Sequence, residues 1–104
     1  MNQHQFYLAL CDFKGGVEPL HETVAVLVYE AGNLLEHAMY RYWAEQRGDK
    51  KAALVHVGFM KSELMDILAQ CMLICTPLNE ELDGMLEMGV EKALERFIGK
   101  EVKE

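Results

Sequence analysis

Proline is scarce in this chain: Pro19 and Pro77 are the only two among 104 residues. An interior proline removes a backbone donor and breaks a helix, so the long stretch between them is free to be helical. Cysteine is also sparse. Cys11, Cys71 and Cys75 make an odd number with no C-x-x-C spacing, which suits a reducing compartment better than a disulfide framework. Positive charge is in deficit, with 10 Lys+Arg against 17 Asp+Glu and a formal charge of −7. Nonspecific binding to nucleic acid or to an anionic membrane needs the opposite surplus, so neither partner is expected, whereas cations are favoured. Long apolar runs are missing too. The charge-free stretch from Ile67 to Asn79 falls well short of the ~20 residues a bilayer span needs. The opening MNQHQFYLALCDF has no basic n-region and no small-residue cleavage site, so no secretory signal is expected there and the chain reads as cytoplasmic.

What is present is hydrophobic content of 51% arranged at helical intervals. Leu20, Val24, Leu27, Val28, Ala31, Leu34, Leu35, Ala38 and Tyr42 recur every three or four residues and predict a helix from Leu20 to about Gln46. Gly48 and Asp49 supply the stop and turn. Val57, Met60, Leu64, Ile67, Leu68, Cys71 and Cys75 predict a second helix over about Lys51–Cys75, with Gly58 a weak point in it and Thr76-Pro77 its end. Asn79 then reads as the N-cap of a third long helix over about Glu80–Gly99, its Glu80 and Glu81 favoured by the helix dipole. Gly84 and Gly89 each cost roughly 1 kcal/mol against alanine, which predicts close helix crossings there. Gln5 to Phe13 predicts a short helix, and beyond Gly99 a charged, frayed tail is expected. The expected fold is all-α: a single domain spanning 1–104, an antiparallel bundle of three to four helices. Apolar faces this wide on a chain this small predict assembly into a homodimer, homotetramer or other oligomer.

Two groups of polar residues carry chemistry. On the first long helix Glu30, Asn33 and His37 share a narrow stripe, with Glu36 beside it; on the second, Glu63 and Asp66 stand three residues apart and Gln70 continues their stripe. Facing one another, Glu30, Asn33, Glu63 and Asp66 form an oxygen-rich cluster of the kind a hard divalent cation takes. A solvated acidic face is the plain alternative. Against it stands the apolar setting of Glu30 among Val26, Leu27, Val28, Ala31 and Leu34, since a half-buried acid is costly unless paired or metal-bound.

VYEAGNLLEHA followed about thirty residues later by ELMDILAQCMLI resembles the MazG-type all-α nucleoside triphosphate pyrophosphohydrolases, marked by EExxE on one helix and ExxD on the next. The likeness runs over roughly residues 20 to 97. It implies that Glu30, Asn33, Glu63 and Asp66 are ligands of magnesium, with manganese an alternative, and that a nucleoside triphosphate is cut between its α and β phosphates. Glu30 or Glu36 would orient the attacking water. Two positions depart from the family pattern: Tyr29 stands where the first Glu would be, and Asn33 replaces a carboxylate. Lys51, Lys61 and Arg96 are the candidates for meeting phosphates and Trp43, with Tyr40, for stacking on a base, although aromatics on a helix are more often packing residues. Cys71 and Cys75 read as packing residues, and His37 as a hydrogen-bonding one. A phosphoribosyl-ATP pyrophosphohydrolase shares the scaffold, but the long MYRYWAEQRGDKK connection argues against it. The remaining alternative is a non-catalytic helical assembly module in which Tyr29 and Asn33 mark lost metal binding.

Overall fold

A computed structural model describes residues 1–102, with side chains as far as Ile98, and contains four helices and no strand among the described residues. They are α1 (Gln3–Lys14), α2 (Leu20–Gln46), α3 (Lys50–Cys75) and α4 (Leu82–Val102). The all-α expectation holds, and the helix count is that of a small bundle. Among the described residues no helix is long and apolar enough to cross a membrane.

Local chemistry accounts for most of the boundaries. Asn2 and Gln5 form a reciprocal capping box at the start of α1: the Asn2 side chain accepts from the Gln5 amide at 2.8 Å, and the Gln5 side chain accepts from the Asn2 amide at 2.9 Å. Gly15 ends α1 in the left-handed region at φ 81°, where a side chain would be strained. The turn between α2 and α3 works as its residues suggest. Gly48 takes φ 74° and the Asp49 carboxylate accepts from the Ala52 amide at 3.0 Å, capping α3. Gly58 leaves α3 unbroken.

The start of α4 departs from expectation. Asn79 is not an N-cap; it sits at φ 60° in the loop, and α4 begins three residues later at Leu82, leaving Glu80 and Glu81 outside the helix. Asparagine tolerates the left-handed region well, and here that property turns the chain after α3. The cap comes from far away in sequence. Gln3 of α1 accepts from the Leu82 amide at 2.6 Å through Oε1, and its Nε2 donates to the Glu80 carbonyl at 2.7 Å and to Thr76 Oγ1 at 3.2 Å. Gln3 is buried, and this one side chain ties α1, the end of α3 and the start of α4 together. Gly84 and Gly89 are not crossing points within the chain, since a Cβ at either would meet nothing within 4 Å. The helix also runs past Gly99 to Val102; the side chains of the expected tail, including Glu101, lie outside the described residues.

Packing within the chain is concentrated between α2 and α3, while α1 and α4 each touch α3 far less. Among the described residues the buried apolar ones are few: Ala44, Ala53, Leu73 and Cys75. A radius of gyration of 17.7 Å, against about 13 Å for a compact chain of this length, describes one closed helix pair with two appended helices.

Candidate metal centre

The α2–α3 seam is built from polar layers spaced seven residues apart. Thr23, Glu30 and His37 follow one another along α2, while Gln70, Glu63 and His56 oppose them in reverse order along α3. Seven residues is two helical turns, so the layers are about 10 Å apart and all point into the seam. In the first layer the Gln70 amide donates to the Thr23 carbonyl at 2.7 Å, fully buried. The third holds His37 and His56 with their Nδ1 atoms 3.1 Å apart, one donating to the other. Both are satisfied.

The middle layer is different. Carboxylate oxygens of Glu30, Glu63 and Asp66 lie within 4.8 Å of one another, with Glu30 and Glu63 half-buried and Asp66 exposed. Glu63 Oε2 is buried and has no hydrogen-bond partner among the described residues. The pKa of Glu30 is raised, first because its carboxyl shares a hydrogen bond with Glu63, then by burial, then by repulsion from the Glu63 charge. Asn33, one turn on from Glu30 and half-buried, adds a side-chain carbonyl to the same wall of α2. The donor set is all oxygen and open on the Asp66 side, which fits a magnesium-sized hard cation rather than a thiophilic one.

Other expected site residues fall elsewhere. Glu36 is exposed and outside the cluster; it faces Tyr40, whose pKa is raised first by a hydrogen bond to Glu36 and then by the Glu36 charge. Lys61 precedes Glu63 by two residues and is therefore turned about 160° away around α3. Lys51 is about 18 Å along α3 from Glu63, and Trp43 about 20 Å along α2 from Glu30. Arg96 lies exposed on α4, and neither it nor Lys51 nor Lys61 joins an ion pair among the described residues. Helix spacing alone keeps Lys61, Lys51 and Trp43 away from the carboxylates within one chain.

The ring cluster nearest the carboxylates was not anticipated. His37 stacks on Phe59 with centroids 4.8 Å apart and 18° between planes, His56 sits against Tyr40 at 5.3 Å, and Trp43 meets Tyr40 edge-on at 5.8 Å. The pairing of His37 with His56 is visible in sequence only once the antiparallel register is known. Cys71 and Cys75 behave as expected of packing residues: both are free, Cys75 is buried, and burial pushes its thiol pKa up. No protein-family model, curated protein or solved structure matches the chain.

Proposed function

We propose that this protein is a magnesium-dependent nucleoside triphosphate pyrophosphohydrolase, working in the cytoplasm as an assembly of two or more copies. The observation that carries the reading is the middle layer of the seam: three clustered carboxylates, one with a buried oxygen left without a partner among the described residues, between two layers each joined by a hydrogen bond from helix to helix. Folding places repelling acids there at a cost, and a divalent cation offsets it. The resemblance of VYEAGN and ELMD to the MazG-type motifs supplies the reaction class.

Glu30, Glu63 and Asp66 would hold the ion through carboxylate oxygens, with Asn33 adding a carbonyl. Bound there, magnesium or manganese supplies positive charge to the phosphates and Lewis acidity for hydrolysis between the α and β phosphates. Glu30, inside the cluster, is the residue to orient the attacking water, whereas Glu36 lies outside it. Asp66 stands at the exposed edge of the cluster. The rings of His37, His56 and Phe59, one layer away, are better placed for a nucleobase than Trp43. Phosphate roles for Lys51, Lys61 and Arg96 are not carried by this geometry within one chain.

Pyrophosphate release from a panel of nucleoside triphosphates, with and without magnesium, tests the reading; turnover with magnesium that vanishes in Asp66→Ala is expected. The second reading, a non-catalytic assembly module, is favoured by Asn33 in place of a carboxylate and by the large exposed apolar surface. Absence of turnover on every nucleotide, together with a melting temperature indifferent to magnesium and manganese, would decide for it.

A further inference from the structure

The third layer of the α2–α3 seam offers nitrogen where the middle layer offers oxygen. His37 on α2 and His56 on α3 bring their Nδ1 atoms to 3.1 Å, with ring centroids 5.3 Å apart and 34° between planes. Both rings are half-buried, and an aromatic neighbour lies against each. Phe59 stacks on His37 with centroids 4.8 Å apart and 18° between planes, and Tyr40 sits against His56 at 5.3 Å and 35°. These contacts hold the imidazoles with the same atom, Nδ1, turned inward from two different helices.

That spacing suits a shared ion. A point about 2.05 Å from each of two nitrogens 3.1 Å apart sees them at an angle of about 98°. This falls between the angle of about 90° for neighbouring square-planar ligands and that of about 109° for tetrahedral ones. The donors also select the ion. Imidazole nitrogens favour zinc and similar borderline divalent ions, whereas magnesium prefers the oxygens of the layer two turns, or about 10 Å, away. No third His, Cys, Asp or Glu completes a cluster with the pair among the described residues, so the remaining positions on the ion are left to water.

We infer that His37 and His56 form a second cation site, taking one zinc-like ion through both Nδ1 atoms and bridging α2 to α3. In the metal-free pair one Nδ1–H donates to the other Nδ1. Binding uses both Nδ1 lone pairs, so the proton of the donating ring moves to its own Nε2 through exchange with water, and no net proton is released. The site shares no ligand with Glu30, Glu63 and Asp66 and is independent of the nucleotide reading.

Calorimetric titration of zinc into the metal-free chain, with magnesium in excess, tests the inference. A single saturable zinc per chain is expected. Its affinity should fall at least about 10-fold in His37→Gln and in His56→Gln. It should be retained in Glu63→Gln and when the exposed His4 and His21 are both changed to Gln. Long-range proton–nitrogen correlation spectra of the unmodified chain remove any dependence on how the variants fold. With zinc bound, His37 and His56 should both be Nε2–H tautomers with Nδ1 as the ligating atom. Absence of saturable zinc binding overturns the inference, as does binding that survives both single substitutions. Zinc held elsewhere, on thiols or on His4 and His21, with the His37 and His56 resonances unmoved, overturns it as well.

Discussion

Two layers of one seam, two turns apart, are treated in opposite ways. Gln70 and Thr23 are buried and their hydrogen bond is short, so polar groups there are fully accounted for inside the protein. Glu30 and Glu63 occupy the equivalent positions in the next layer, and there the chain leaves a buried carboxylate oxygen without a partner and raises the pKa of its neighbour. The same backbone register therefore supports a structural layer and a layer that needs something from outside. Unsatisfied buried groups are rare in folded proteins and costly, which makes the second layer the functional candidate.

The contrast can be broken most severely by removing a carboxylate. Glu63→Ala should lower magnesium-dependent pyrophosphate release at least about 100-fold and abolish any rise in melting temperature with magnesium, while leaving the helical signal in circular dichroism intact. Gln70→Ala should do the reverse. It removes the buried hydrogen bond that ties α3 to the Thr23 carbonyl of α2, so urea unfolding should show a loss of about 1 kcal/mol with magnesium binding retained. If Gln70→Ala abolished metal binding and Glu63→Ala did not, the assignment of the two layers would be inverted.

Isosteric neutralisation sharpens the comparison further. Glu63→Gln removes repulsion without removing volume, so the metal-free protein should melt at a higher temperature than wild type at neutral pH, and magnesium should no longer raise it. A smaller effect comes from pH alone. The pKa of Glu30 is raised in the folded state, so the folded protein holds that proton more tightly than the unfolded chain. The resulting stability is present below the ordinary carboxylate pKa and is lost as pH rises through the raised value. Metal-free wild type should accordingly lose stability over that window, and Glu30→Gln should flatten the profile.

The long helices were legible because their apolar residues recur at helical intervals over 27 and 26 residues, long enough for the period to be unambiguous. Glu30, Glu63 and Asp66 were legible for the same reason, since a three-residue step on each helix fixes a face. The rest depends on relations that no local pattern contains. His37 meets His56 only because the turn at Gly48 sets the register, and Gln3 caps α4 from 79 residues away. Asn79 satisfied the local rule for a cap while its backbone served a turn instead. Lys61 was misleading in another way: nearness in sequence to Glu63 places it on the opposite side of the same helix.

Calorimetric titration of magnesium into the wild-type chain tests the central claim most directly. Saturable binding is expected, because the clustered oxygens of Glu30, Glu63 and Asp66 are the donors a hard cation takes, and Glu63→Gln should show none. Absence of binding, or binding that survives unchanged in Glu63→Gln, would contradict the assignment of the middle layer as a cation site.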